Sequence, residues 1–216
     1  MITTRHKYTD VYGVKATDTS LILGTIHPHN TDQFQIDFFY GNRNSIWNIL
    51  STAFPNHNFS TKDAIIKTLA INNIWISDII LQCERDDESI TQDKKLKSIK
   101  LNDFQIEEGL QKSQIKTIFF TSGFGKNNAA KLFCDRFKIN PVLNNHREFI
   151  ISHNIFGREI IGVVLFSPSG QANIGIKRNK LYLEQEENYS TCKNPISRFK
   201  IDFYKNALTN QIKNIL

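Results

Sequence analysis

Residues 159–166 read EIIGVVLF and run directly into SPSGQAN at 167–173. An apolar run this short, rich in β-branched residues and closed by a small-residue turn, reads as a strand buried on both faces, as in a parallel sheet. SLIL (20–23) closed by Gly24, IWISDII (74–80) and KTIFF (116–120) share the pattern. Helical periodicities separate these runs. One covers 44–50 with Ile46, Trp47 and Leu50, a second covers 62–71, and a third opens at Asn102, which forms a capping box with Gln105. A fourth runs over 126–137 through Ala129, Leu132, Phe133 and Phe137. The last, 194–214, opens on Asn194-Pro195 and carries Ile196, Phe199, Phe203 and Ala207 on one stripe. Strands alternating with helices predict an α/β fold: a three-layer αβα sandwich with a short, mostly parallel central sheet. The polar stretch 84–103 reads as helix and loop within the same domain. The crevice of such a sheet lies beyond the carboxyl ends of its strands, so function is expected in the loops that begin at Gly24, Asp78, Thr121 and Ser167.

The chain has 216 residues and is 40% hydrophobic, enough for one domain with a sizeable core. Residues 1–17 read as an N-terminal extension to it. With 27 Lys and Arg against 21 Asp and Glu, the net charge is +6, which favours a polyanionic partner without requiring one. The three cysteines, Cys83, Cys134 and Cys192, form no C-x-x-C pair, so a disulfide framework, a structural zinc site and a four-cysteine iron–sulfur cluster are disfavoured and the thiols are expected to stay reduced. No stretch approaches the ~18 to 20 apolar residues of a membrane span, and no signal peptide is evident. The expectation is a soluble cytoplasmic protein, nucleoid-associated if prokaryotic, with no cofactor, no membrane contact and no obligatory protein partner.

Each loop has a chemical reading and a plainer one. GTIHPHN (24–30) holds an H-x-H, His27 and His29, with Asp32 behind it, a spacing able to ligate a divalent metal; further ligands from other strands are wanting, so exposed loop histidines are the simpler account. GFGKNN (123–128) follows a strand and opens a helix, where backbone N–H groups can receive an anion. It lacks the first glycine of a P-loop and has Asn127 where Ser or Thr should stand. Asn127 and Asn128 suit a helix cap or, less simply, a base edge. SPSGQAN lets a ligand approach backbone closely, with Lys177, Arg178 and Lys180 following as phosphate contacts or a solvated charge run. DFFYGNRNSIW (37–47) puts three aromatics before an Asn/Arg-rich turn. Base stacking competes there with core filling, which accounts for Phe38 and Trp47.

Four blocks taken in order resemble the uracil-DNA glycosylase superfamily over residues 18–210, most closely its hypoxanthine and mismatch-specific uracil/thymine branches. They are LILGTIHP with FFYGNRNSIWNIL; NIWISDIILQCERDDESI, with Asp78, Cys83, Arg85 and Ser89; IKTIFFTSGFGKNNAAKLF; and VVLFSPSGQAN. The resemblance implies a single glycosylase-like domain, a monofunctional DNA glycosylase acting in base excision repair on hypoxanthine or uracil. The target nucleotide would be flipped into a pocket and its base displaced by water through an oxocarbenium-like transition state. Its partner would be DNA carrying a damaged or mismatched base. The mismatch branch's Gly-x-Asn-Pro-Gly is replaced by Gly24-Thr25-Ile26-His27-Pro28, so the resemblance puts the water on Asn44, with His27 second. Phe39 matches the stacking aromatic, Tyr40 and Ile26 flank the base, Asp78 either accepts a bond from a base N–H or holds the loop together, and Ser167 stands where other branches have Asn or His. Ser169, Gly170 and Gln171 match the loop that enters DNA, and Arg43, Lys126, Lys177 and Arg178 are its phosphate contacts. Two rivals stay open: a non-catalytic nucleic-acid-binding protein on the same scaffold, and a metal-dependent hydrolase using His27, His29 and Asp32.

Overall fold

The structure, a computed structural model, describes residues 1–42 and 45–212. In chain order its elements are β1 (Ile2–Arg5), β2 (Ser20–Gly24), α1 (Ile46–Ala53), α2 (Lys62–Ile71), β3 (Ile74–Asp78), β4 (Ile80–Arg85), β5 (Lys97–Leu101) and α3 (Asp103–Lys112). There follow β6 (Thr117–Phe120), α4 (Ala129–Arg136), β7 (Glu148–Ile151), α5 (His153–Phe156), β8 (Ile160–Val164), α6 (Asn173–Ile176), α7 (Lys180–Leu183) and α8 (Pro195–Leu208).

The fold is mixed α/β. Five strands form one sheet in the order β3-β2-β6-β8-β7, in which all neighbours are parallel except the edge strand β7. All five residues of β2 and of β3 are buried, which is why both appear in the sequence as unbroken apolar runs. The crossover from β2 to β3 runs one way across the sheet and those from β3 to β6 and β6 to β8 run the other. Right-handed connections therefore put α1 and α2 on one face and α3 and α4 on the opposite face. Packing of α8 on α1, and of α3 on α5, fits this layering. Ser45 and Thr61 start α1 and α2 by accepting the Trp47 and Ala64 N–H groups, and Pro195 starts α8. No helix among the described residues is long and apolar enough to cross a membrane.

Several expected boundaries move. The run 74–80 is two strands, because the chain bends at Ile79, whose N–H donates to the Gly24 carbonyl, and continues as β4 in a second sheet. That sheet is antiparallel, in the order β1-β4-β5. The stretch 84–103 therefore holds the end of β4, a 3-10 turn (Asp93–Lys95) and β5 rather than helix and loop. Its period-two signal is only Ile99 and Leu101, half-buried among exposed lysines. Residues 1–17 are not an appendage, since β1 pairs with β4 from Ile2 opposite Arg85 to Arg5 opposite Gln82. The fourth helix begins at Ala129 because Asn127, with φ of 62°, still belongs to the turn. The last ends at Leu208. Asn102 does not cap α3 with its side chain; its amide donates to Gln105 at 2.9 Å and to the Asp78 carbonyl at 3.3 Å.

Candidate functional site

The strand order reverses around β2, with β3 on one side and β6 on the other, so the crevice rule points to the carboxyl ends of β2 and β6. A cleft of about 250 Å³ opens there. Thr25 to Pro28 follow β2, Asp78 ends β3, Thr121 and Ser122 follow β6, and Ser167 to Ser169 follow β8; all line it. The four loops singled out in the sequence meet at this one place. Tyr40 and Ser45 close one side, and Thr91 and Asp93, from the arm between β4 and β5, close another.

Asp78 sits at the bend where β3 leaves the parallel sheet. Its Oδ2 is 2.8 Å from His6 Nε2, and the His6 ring is fully buried. His6 Nδ1 accepts the Tyr8 backbone N–H, so the ring proton is on Nε2 and is donated to the carboxylate. Asp78 Oδ1 is buried and has no hydrogen-bond partner. It packs over Gly24 beside the Tyr40 hydroxyl. A Cβ on residue 24 would meet Tyr40 Oη at 1.9 Å and Asp78 Oδ1 at 2.1 Å, so only glycine leaves room for both groups. Tyr40 adopts φ of 53°, a left-handed conformation costing a bulky residue ~1 to 3 kcal/mol. Two contacts hold it: Tyr40 Oη lies 2.7 Å from Thr121 Oγ1, and the Trp47 indole donates to the Phe39 carbonyl at 2.7 Å. Burial, and secondarily the charge of Asp78, push the Tyr40 phenol well above its ordinary range.

Opposite lies Asp93, which begins the 3-10 turn of the arm. Thr25 Oγ1 donates to Asp93 Oδ2 at 2.9 Å, and Thr25 is 3.0 Å from Ser122 Oγ. Ser122 Oγ accepts the Ala129 N–H at the first turn of α4 at 2.8 Å. The Asn127 amide donates to the carbonyls of Asp93 and Leu96, both at 3.0 Å. Asn127 is thus a strut for the arm, and neither it nor Asn128 uses its side chain to cap α4. Burial first, with Asp78 adding repulsion, raises the Asp93 carboxyl to about 6, against the opposing pull of Thr25 and Arg85.

His27 lines the cleft, but both its nitrogens are committed: Nε2 accepts the Lys7 N–H at 2.9 Å, and Nδ1 donates to the Pro28 carbonyl at 2.6 Å. Burial lowers its pKa and keeps the ring neutral, a state that suits this framework. His27 is therefore not free to activate water or bind metal in this conformation. His29 pairs with Thr4, and among the described residues no three His, Cys, Asp or Glu side chains are grouped to hold a metal ion. Arg85 fastens the same loop from beneath. It is fully buried and donates to Thr4 Oγ1 at 3.0 Å, to the His27 carbonyl at 2.9 Å and to the Ile90 carbonyl, joining β1, the loop after β2 and the arm.

The other expected residues divide. Ile26, Tyr40, Asp78, Ser167, Ser169 and Gln171 line the cleft, while Gly170 lines a neighbouring hollow that shares Ser45 and Pro168 with it. Phe39 does not line the cleft. It is 1% exposed and packs on His6, Tyr8 and Phe38, so Phe34 and Tyr40 are the aromatics that face a ligand. The three aromatics fall on one tight turn, and the two bulkiest apolar rings turn to the core. Lys126, Lys177 and Arg178 are exposed outside the cleft lining. Asn44 and Arg43 lie outside the described residues.

Three groups escape the sequence reading. His6 sits in a segment without an apolar pattern, and Asp93 lies within a lysine-rich stretch; neither carries a signal. Lys200 does carry one, since it falls four residues after Ile196 and four before Tyr204 on the apolar stripe of α8. It is 4% exposed, and its ammonium donates to the carbonyls of Ser169 at 3.2 Å and Pro168 at 3.5 Å, anchoring the loop after β8. No family model, no curated protein and no solved structure matches this chain.

Proposed function

We propose that this chain is a monofunctional DNA glycosylase, with the architecture of the uracil-DNA glycosylase superfamily, that removes hypoxanthine or uracil from DNA. One observation carries the reading: the four sequence blocks that resemble that superfamily end at strands whose loops line a single cleft. At about 250 Å³ this cleft falls below the ~300 to 1,000 Å³ typical of ligand pockets, a size suited to one everted base rather than a whole nucleotide. Water would displace the base at C1′, and the carboxylate of Asp93 would face the cationic sugar that develops. Asn44 remains the residue assigned to position that water. Tyr40, Ile26 and Phe34 would enclose the base, and the exposed residues Ser169 to Gln171, held by Lys200, would meet the strand from which it was extruded.

The reading predicts abasic sites from oligonucleotides carrying a single hypoxanthine, uracil, xanthine or thymine mismatch, detected by alkaline cleavage and undiminished by EDTA. Asn44→Ala should reduce excision by about 10² to 10⁴-fold if the side chain acts directly on the attacking water. Tight, salt-sensitive DNA binding with no excision at enzyme excess would instead establish the non-catalytic binding protein.

A further inference from the structure

We propose that Asp93 is the acid–base catalyst of the cleft, using the carboxylate oxygen that Thr25 leaves free; this rests on the glycosylase reading. Elimination among the described cleft residues leads to it. His27 has both ring nitrogens bonded to backbone, and His6 has one on backbone and one on Asp78. Asp78 spends Oδ2 on His6, and its Oδ1 is sealed over Gly24 and Tyr40. Tyr40 is bonded to Thr121 and is a still weaker acid than an ordinary phenol. Asp93 alone lines the cleft with one oxygen anchored by Thr25 and the other accepting no hydrogen bond from a described residue.

Its placement is built rather than incidental. Thr25 gives its one hydroxyl proton to Asp93 Oδ2, so between Thr25 and Ser122 it is Ser122 that donates, while Ser122 Oγ accepts the Ala129 N–H. This one-way relay starts at the positive end of α4 and fixes the carboxylate's rotation. Asn127, from the same connection, holds the Asp93 backbone. The charged and titratable groups around it are Asp78 from β3, Cys83 and Arg85 from β4, and Tyr40 from the turn before α1. Burial and Asp78 outweigh Thr25 and Arg85, bringing Asp93 to about 6, close to the pH at which it would have to exchange a proton.

The step balances with no added reagent. The carboxylate of Asp93 takes one proton from water as the C1′–O bond forms. The C1′–N bond breaks, and its electron pair leaves with the base. Asp93 then returns the proton to the basic nitrogen of the departing base and is again a carboxylate. The net change is one water consumed, one sugar hydroxyl formed and one neutral base released.

The test is the single-turnover excision rate of the full chain on its best lesion duplex between pH 4.5 and 8.5. The wild type should gain rate with rising pH, with an apparent midpoint near 6, and then level off. Asp93→Asn, which can still accept the Thr25 bond, should lose about 10² to 10⁴-fold and show no limb, with DNA affinity unchanged. Asp93→Glu should recover part of the rate and the limb. Thr25→Val, which removes a bond that favours the carboxylate, should move the limb to higher pH. An active wild type with Asp93→Asn equally fast, or with the limb intact, overturns this proposal alone. A wild type that excises nothing overturns the glycosylase reading and this proposal together.

Discussion

Lys200 brings an ammonium into the contact between α8 and the loop after β8, where its hydrogen-bond partners among the described residues are the carbonyl oxygens of Pro168 and Ser169. Burial lowers its pKa to about 8, against an ordinary 10.5. The sign of the linkage is fixed by this direction. Below pH 8 both folded and unfolded chains hold the proton and the full penalty applies; between 8 and 10.5 the unfolded chain still binds it and the folded chain does not, so stability rises with pH. The difference in unfolding free energy between wild type and Lys200→Met, measured by urea titration, should therefore climb by up to about 3 kcal/mol across that window. An unchanged difference would show that the amine does not lose its proton in place. Phe39 teaches the converse lesson. Its position in a run of aromatics was legible, but its direction was not, because which ring faces the core depends on the Tyr40 backbone and the Trp47 bond rather than on composition.

Among the elements, β1 does more than its four residues suggest. It pairs with β4, leads into His6 and Lys7, and so supplies the partner of Asp78 and the N–H that fixes His27. Removing residues 1–7 strips Asp78 of a buried charge-assisted bond and leaves β4 without a neighbour on one side. We expect destabilisation of about 3 to 5 kcal/mol, read by chemical denaturation, and loss of excision. A truncated chain with unchanged melting would contradict this account of the cleft floor. The strands β2, β3, β6 and β8 were readable in the sequence because burial on both faces leaves continuous apolar runs. The strands β1, β5 and β7 were not: each lies at a sheet edge and is only four or five residues long, β1 and β5 are largely polar, and β7, EFII, exposes Ile150, so no clean alternation shows. Asp93 was hidden with them, since its place depends on the β4–β5 arm reaching across to α4.

The whole molecule carries +6, and among its cations Lys126, Lys177 and Arg178 are exposed. If these touch DNA, replacing all three with Gln should weaken binding at every sequence alike. It should also flatten the plot of log affinity against log salt by about 0.9 for each phosphate that is no longer neutralised. A slope identical to wild type would remove them from the interface. The location of the cleft was legible at this scale because strand order and the carboxyl-end rule depend only on where apolar runs stop. Its electrostatics were not, since the pairing of Asp78 with His6 and of Asp93 with Thr25 joins positions 72 and 68 residues apart.

The cleft floor is supplied by residues near position 6 and its outer loop is secured by position 200. Lys200 lies in the first half of α8, so a ribosome must have delivered that half of the helix before the outer loop can be secured. A nascent chain halted before that helix would carry Asp78 and Asp93 but an unanchored loop, so any activity of this cleft belongs to chains that include α8 and not to shorter fragments.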